Sequence, residues 1–483
     1  MVDQNSRGGG DVRTSGSGEI GLLDRTFHLR ERGTTVRTEV VAGLTTFMTM
    51  AYILFVNPSI LGTPGPASDG LPFPAVLTVT ALVAGVLTIA MGLVTNYPFA
   101  IAAGLGLNAV VAFQLVGGEG LTYPEAMGVV VLEGVLITIL VLTGFREAVL
   151  NAVPLVLKQA IGAGIGLFIT IIGFANSGIV VPGPGAGAPV LARGDLDSTR
   201  IAVFVVGLII TGALLARRTK GALLYGIIGT TVLAIIVNAL SGGGLWEAVG
   251  PDTARVPSQV VALPDFSLVG AFSFGFFAKI GLLAAALAVF TLMLADFFDT
   301  MGTAIALGGE GRFLDEQQRL PGMKRVLLVD SLGAVAGGAA SASSNTTYIE
   351  SASGIAEGGR TGLASVVTGL LFLVALFFSP LAGVIPPEAT APALVLVGFL
   401  MMSVIRELPW DDYAVSIPAF LTIVIMPFNY SITDGIGWGF IAYTITHLMT
   451  GRARRLHWML IASSVAFLIY FALDPIRRLV GID

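Results

Sequence analysis

Three acidic side chains lie in apolar stretches of this 483-residue sequence. Asp296 and Asp299 stand three residues apart in the run Thr-Leu-Met-Leu-Ala-Asp-Phe-Phe-Asp, and Glu350 ends the run Ser-Ser-Asn-Thr-Thr-Tyr-Ile-Glu. A charged side chain at bilayer depth costs roughly 2.5–3.5 kcal/mol on insertion scales, so three unpaired charges would cost roughly 8–10 kcal/mol. These carboxylates are therefore the first candidates for a functional site.

The spacing of these acids indicates what chemistry they do. Asp296 and Asp299 are expected to share one helix face, and two neighbouring carboxyl groups in a low dielectric suit a carrier that couples to protons. The alternative is a helix-end pair that faces water, and it is stronger for Asp299. An ionised Glu350 accepts well from two adjacent N–H groups, such as those on the edge of a heterocycle. Its alternative is a structural ion pair with Arg360 or Lys324.

The composition sets the class of protein that must position these acids. The chain is 54% hydrophobic and 12% charged, with a mean hydropathy of +0.87, whereas soluble domains average about 25% charged residues. This indicates an all-α polytopic membrane protein. The absence of cysteine excludes disulfides and thiolate catalysis, and three histidines make a His-rich metal centre unexpected. We expect no cofactor, no metal, no nucleic-acid partner and a disordered tail over residues 1–20.

Apolar runs divide the chain into two series of seven candidate spans, separated by a polar gap at 241–270. A further apolar stretch, 456–473, is long enough to span. The predicted spans are 38–57, 75–95, 98–116, 122–144, 154–175, 199–216 and 221–240, then 278–303, 324–340, 343–356, 360–383, 387–405, 412–428 and 433–449.

Basic residues predict the orientation, because positively charged loops stay on the cytoplasmic side. Four arginines precede span 1, and basic clusters follow spans 6, 8 and 14, which all agree with a cytoplasmic N-terminus. A fifteenth span would carry Arg477 and Arg478 outside, so we expect 456–473 to be a peripheral or partly inserted helix. The basic residues that precede span 1 or follow spans 6, 8 and 14 are Arg25, Arg30, Arg32, Arg37, Arg217, Arg218, Lys220, Arg312, Arg319, Lys324, Arg325, Arg452, Arg454 and Arg455.

Seven spans is an odd number, so two halves with one fold must be inverted in the membrane. Segment 128–140 resembles 364–376, and 154–174 resembles 387–407, at offsets near 235 residues. Two segments in matching positions, 97–108 and 337–347, are poor helices rich in Gly or in Ser, Asn and Thr. Paired broken helices indicate a midplane binding site, with closely packed Gly-rich helices as the alternative.

Polar residues in the broken segments are candidates for this site. Asn108 either contacts a solute or joins two helices by hydrogen bonds. Ser343, Ser344 and Asn345 suit the N-cap of a half-helix. Glu133 in span 4 is a structural or gating group, which we do not assign to the site.

Four motifs resemble the AzgA-like purine permeases, a branch of the nucleobase/ascorbate transporter superfamily. They are Gly-Leu-Thr-Thr-Phe-Met-Thr-Met-Ala-Tyr-Ile-Leu-Phe-Val-Asn-Pro (43–58), Gly-Leu-Gly-Leu-Asn-Ala (104–109), Ala-Asp-Phe-Phe-Asp-Thr-Met-Gly-Thr (295–303) and Ser-Asn-Thr-Thr-Tyr-Ile-Glu-Ser-Ala-Ser-Gly (344–354). The resemblance runs from about residue 22 to 473. It implies fourteen spans in two inverted seven-span repeats, with short strands in spans 3 and 10.

The resemblance also implies a division into domains that move against each other like an elevator. A cytoplasmic tail covers 1–37. The core domain has spans 1–4 (38–144) and spans 8–11 (271–383), and the gate domain has spans 5–7 (145–270) and spans 12–14 (384–452). A C-terminal apolar helix and tail cover 453–483. A homodimer is expected to form through the gate domain.

By motif position, the resemblance implies roles for individual residues. Glu350 corresponds to the carboxylate that binds substrate, and Asp296 to the span-8 acid that contacts substrate or proton. The substrate-binding set is Glu350, Asp296, Asn108, Thr347, Asn345 and Ile349, and the proton-coupling set is Asp296, Asp299 and Glu350.

The implied function is proton symport of adenine, guanine or hypoxanthine across the cell membrane, with no enzymatic activity. Two alternatives stay open. One is an intramembrane, Mg²⁺-dependent prenyltransferase-like enzyme, which normally needs a second Asp-rich cluster. The other keeps the fold but carries a pyrimidine or an inorganic anion, and a carboxylate-lined site disfavours the anion.

Overall fold

The computed structural model describes residues 22–144, 153–183, 191–249, 253–317 and 319–480. The predicted disordered tail, 1–20, lies outside the described residues. Within them, nine helices are long and apolar enough to cross a membrane, and the shorter apolar helices are Leu105–Gly118, Tyr413–Asn429 and Trp458–Ala472. The prediction of an all-α polytopic membrane protein is confirmed.

The helices correspond one to one with the predicted spans, and the span numbers are kept below. Span 1 comprises Val36–Met50 and Ile53–Leu61, and a short helix, Leu22–Phe27, precedes it. Spans 2 to 7 are Phe73–Thr95, Leu105–Ala109 continued by a π-helix at Val110–Gly118, Tyr123–Thr143, Leu155–Asn176, Thr199–Ala216 and Ala222–Leu240. Spans 8 to 14 are Phe276–Glu310, Met323–Ala339, Ser351–Ala356, Gly362–Ala375 with Leu376–Phe378 and Ser379–Gly383, Pro387–Met402 with Ser403–Glu407, Tyr413–Asn429 and Ile432–Met449.

The packing partners of the helices repeat with a period of seven spans. Span 2 packs on span 11, and the equivalent pair seven spans away is span 9 on span 4. In the same way, span 1 packs on span 11 and its equivalent, span 8, packs on span 4. Spans 6 and 7 pair as spans 13 and 14 do, while spans 5 and 12 pair with each other. Because seven is odd, equivalent spans run in opposite directions, as the predicted inverted repeat requires.

Two antiparallel strand pairs interrupt the helices. The strands are β1 (Ile101–Ala103), β2 (Val180–Pro182), β3 (Leu191–Arg193) and β4 (Asn345–Thr347). Strand β1 pairs with β4, with Ile101 opposite Thr347 and Ala103 opposite Asn345, whereas β2 and β3 form a hairpin between spans 5 and 6. The β1–β4 pair joins the two broken spans, because each satisfies the backbone groups that the other leaves free.

The start of the second half-helix differs from the prediction. Ser343, Ser344 and Asn345 were expected to cap it, and this is wrong, because Asn345 lies in β4 and the helix begins only at Ser351. Glu350 is the residue at its N-terminal boundary. Ser343 has a left-handed backbone (φ 67°), which turns the chain into the strand. Glu350 is thus placed at the break itself and not inside the half-helix.

Glycine allows spans 2 and 11 to touch backbone to backbone. A Cβ added to Gly92 would lie 2.3 Å from the carbonyl oxygen of Gly362, and one added to Gly362 would lie 1.9 Å from that of Gly92. Side chains at either position would separate the helices, so this contact needs glycine on both sides.

The C-terminal helix, Trp458–Val480, packs against span 14. The hydroxyl groups of Ser464 and Thr444 hydrogen-bond at 2.8 Å across this contact. The described apolar part, Trp458–Ala472, is shorter than a typical span. Its predicted peripheral or partly inserted position stays a prediction.

Candidate functional site

Glu350 lies where β4 passes into the second half-helix, and its side chain is partly exposed. The buried hydroxyl of Tyr52, from span 1, donates to its Oε1 at 2.7 Å. The neighbouring Ile349 is 49% exposed, and Asp299 of span 8 is also exposed. The carboxylate is therefore held in one orientation while part of it stays open to a ligand.

The structural ion pair considered for Glu350 does not form among the described residues. The Arg360 guanidinium instead donates to the carbonyl oxygens of Ile355 and Gly359, at 2.6 and 2.7 Å. Lys324 donates to a carbonyl at the end of span 4, at 3.3 Å. A carboxylate without a cationic partner is free to accept hydrogen bonds from a neutral solute.

Asp299 belongs to the part of span 8 that faces span 5. The residue before it, Phe298, is partly exposed, and the ammonium group of Lys158 lies 4.8 Å from the centre of its ring. The charge of Lys158 thus interacts with this aromatic face. Asp299 therefore lies beside span 5, and its carboxylate is near enough to Glu350 to interact with it electrostatically.

Asp296 has different surroundings from Asp299. Its side chain is 0% exposed, and its Oδ2 accepts from the Ser344 hydroxyl at 3.3 Å. The same hydroxyl lies 3.5 Å from Oε2 of Glu133, so one donor lies between the carboxyl groups of Glu133 and Asp296. Three residues turn an α-helix by about 300°, which leaves two side chains about 60° apart. In span 8 this angle is enough to separate a buried acid from an exposed one.

A further buried acid, Asp330, lies on span 9 and was not found from the sequence. It is 3% exposed, and its Oδ1 accepts from the backbone N–H and the hydroxyl of Thr347, both at 2.8 Å. Its Oδ2 accepts from the Thr300 hydroxyl at 2.7 Å. Three donors satisfy an ionised carboxylate, so Asp330 fastens β4 to spans 8 and 9.

The structure places the other sequence-predicted residues as follows. Thr347 binds Asp330 within the polypeptide, and the Asn345 amide donates to the Ser343 carbonyl at 2.9 Å while its Oδ1 has no partner. Asn108, on the first half-helix, is 0% exposed, and neither its Oδ1 nor its Nδ2 has a partner. An unpartnered amide in the interior is costly, which is expected where a ligand completes the hydrogen bonds.

The sequence analysis did not identify two residues of the site, although the sequence indicates one of them. Asp330 is an acid inside the predicted span 324–340. The cost argument that identified Asp296 applies equally to it. Tyr52 gave no comparable signal, since a tyrosine in an apolar helix is ordinary.

Comparison with known proteins decides the family. The profile of the xanthine/uracil permeases, described as a permease family, matches residues 37–436. The chain belongs to this family. Among its relatives, adenine permease AdeQ of Escherichia coli (strain K12) is 40% identical over 451 residues, covering 93% of this chain and 96% of the relative. Guanine/hypoxanthine permease PbuG of Bacillus subtilis (strain 168) is 38% identical over 450 residues, covering 92% and 98%.

Solved structures with low sequence identity share the permease fold. The transmembrane domain of the cyanobacterial bicarbonate transporter BicA matches with a TM-score of 0.56 at 15% identity, covering 89% of this chain and 97% of that one. The murine anion transporter Slc26a9 matches with a TM-score of 0.60 at 12% identity, covering 93% and 76%. At these identities the likeness shows the fold alone.

Proposed function

We propose that this permease imports purine nucleobases by proton symport, with elevator-type alternating access. The observation that carries the proposal is the position and hydrogen bonding of the Glu350 carboxylate. Its carboxylate is partly exposed, held by the Tyr52 hydroxyl at 2.7 Å, and without a cationic partner among the described residues. It lies at the junction of the two broken spans, where transporters of this kind bind their solutes.

The chemistry of this site fits a purine base. A carboxylate offers about four lone-pair positions for hydrogen bonds. Guanine presents two adjacent N–H groups on one edge, and both oxygens of one carboxylate can accept from them at once. The amide of Asn108 both donates and accepts, so it suits a ring with alternating donors and acceptors. Nearby Asp299 adds a negative charge, which disfavours anionic solutes.

The proposed movement is a displacement of the core domain (38–144 and 271–383) against the gate domain (145–270 and 384–452). The packing supports this division. The pairs 1–11, 2–11, 4–8 and 4–9 lie within the core, and 5–12, 5–13, 6–7 and 13–14 lie within the gate. The base would bind to core residues beside span 5 of the gate. We further propose a cytoplasmic N-terminus, a cell-membrane location and a homodimer through the gate domain.

Uptake by the full chain in proteoliposomes tests the proposal. Labelled hypoxanthine, guanine and adenine are offered with and without an inward proton gradient, and a protonophore serves as control. We expect accumulation that collapses with the protonophore and persists when sodium is replaced by choline. Accumulation that follows sodium and ignores the proton gradient would refute the coupling. Competition by unlabelled purines, uracil and bicarbonate ranks the substrates.

Substitution of Glu350 tests the site itself. We expect Glu350→Ala to abolish base binding, measured by equilibrium binding to purified protein. Glu357→Gln is the matched control, because Glu357 ends the same half-helix but is engaged in an ion pair with Lys220. It should leave the affinity unchanged. An unchanged affinity in Glu350→Ala would remove Glu350 from the binding site.

A further inference from the structure

Two buried acids in the core of the permease share a single hydroxyl donor. Glu133 of span 4 and Asp296 of span 8 are both 0% exposed. The Ser344 hydroxyl lies 3.5 Å from one and 3.3 Å from the other, and a hydroxyl has one hydrogen to donate. Oε1 of Glu133 and Oδ1 of Asp296 have no partner at all.

The closeness of these two acids favours a proton between them. One hydroxyl reaches an oxygen of each acid, so the two carboxyl groups lie close together in the interior, and a carboxyl group can donate to its neighbour only when it is protonated. Two ionised carboxylates in such a pair would repel strongly in a low dielectric, as in catalytic carboxylate dyads that hold one proton between them. A single proton shared by Glu133 and Asp296 would relieve this repulsion.

The other ionisable groups around Glu133 and Asp296 do not compete with this pair for the proton. The ionisable side chains that interact with the pair are Asp330 from span 9 and Asp299 from span 8. Asp330 has three hydrogen-bond donors of its own, which suit its ionised form. No Lys, Arg or His of the described residues forms a salt bridge with these acids.

We propose that Glu133 and Asp296 carry the coupled proton of the transport cycle, with Glu133 as a positioning residue that does not contact the base. This inference rests on the proposed proton symport. The pair is connected to the base site in two ways. Asp296 lies about one helical turn from Asp299, and Ser344 leads into β4 and on to Glu350.

This arrangement gives the proton a physical task. With the proton, the pair bears one negative charge, and without it, two, which raises the cost of moving the core through a low-dielectric environment. Because the base is neutral, each cycle carries one positive charge inward: the proton enters from one side, binds the pair and leaves on the other. Uptake should thus respond to membrane potential as well as to the pH gradient.

Glu133→Gln in proteoliposomes is the decisive experiment. The variant keeps the size and hydrogen-bonding ability of the side chain but cannot exchange a proton. We expect its Kd for hypoxanthine to stay within about threefold of wild type and counterflow exchange to continue. Gradient-driven accumulation, several-fold in wild type, should fall to equilibrium level. Glu125→Gln is the control, because Glu125 begins the same span but is paired with Lys279 at 3.2 Å outside the network; it should accumulate normally.

The outcomes separate this inference from the proposed function. If wild type accumulates base with the proton gradient and Glu133→Gln does so equally, the pair does not carry the proton and the inference is overturned. If wild type itself ignores the gradient, the proposed symport fails, and the inference with it. If both exchange and accumulation are lost while base binding is kept, Glu133 has a structural role only.

Ser344→Ala gives an independent readout should Glu133→Gln fail to fold. Loss of the hydroxyl removes a donor to the ionised form of the pair. The pH of half-maximal uptake should then move upward by about half a unit. An unchanged pH profile in folded protein would overturn the inference.

Discussion

Replacement of Tyr52 by Phe removes the hydroxyl that holds Glu350 in place. A hydrogen bond to a charged group contributes about 1.5–3 kcal/mol, and partial exposure of Glu350 lets water replace some of it. We therefore expect the free energy of unfolding to fall by about 1.5 kcal/mol. Without the hydroxyl, the Glu350 side chain loses its conformational freedom only when the base binds, which costs about 1 kcal/mol of binding free energy. This cost corresponds to a roughly fivefold higher Kd.

Tyr123→Phe is the matched control. Tyr123 is 1% exposed, as Tyr52 is, and its hydroxyl donates to the Thr63 carbonyl at 2.6 Å, away from the site. Its loss should cost about 0.5–1.5 kcal/mol of stability and leave the Kd unchanged. Both variants are measured by thermal unfolding in detergent and by equilibrium binding of hypoxanthine.

The comparison between the two variants tests whether the Tyr52 hydroxyl orients Glu350. A higher Kd in Tyr52→Phe alone would show that the hydroxyl orients Glu350 for the base. Equal loss of stability in both variants with no change of Kd in either would refute the idea that the Tyr52 hydroxyl orients Glu350 for the base.

Three further predictions follow from buried contacts. Asn108→Ala should not destabilise the protein, because it removes an amide with no partner, yet it should raise the Kd for hypoxanthine several-fold; normal affinity would assign Asn108 to packing. Glu39→Gln should lower the thermal midpoint without changing uptake per folded molecule, because the buried Glu39 carboxylate accepts the N–H groups of Arg360, Thr361 and Ala364 at the start of span 11; an unchanged midpoint would contradict this. Gly362→Val should cost about 1–3 kcal/mol by pushing span 11 away from Gly92. Gly212→Ala, in open space within span 6, should stabilise slightly, and equal effects of the two substitutions would argue against close packing.

The helices were predictable because each needs about twenty apolar residues, a property of the local sequence. All fourteen candidate spans have counterparts in the structure. The broken spans were also visible, since Gly, Ser, Asn and Thr at 97–108 and 337–347 are poor helix formers. The start of the half-helix was not, because Asn345 joins a strand whose partner, Ala103, is more than two hundred residues away. Pairing across that distance overrides a local capping preference.

The amino-acid sequence alone determined that this chain is a polytopic membrane protein with carboxylates at bilayer depth. Composition and the cost of charge in lipid do not depend on how the helices pack. Only the tertiary structure decided which acids act together. It set the exposed Asp299 near enough to Glu350 to interact with it electrostatically and turned Asp296 toward Glu133 and Ser344. A rotation of about 60° on one helix separates these surroundings, and the neighbours on each side come from distant spans.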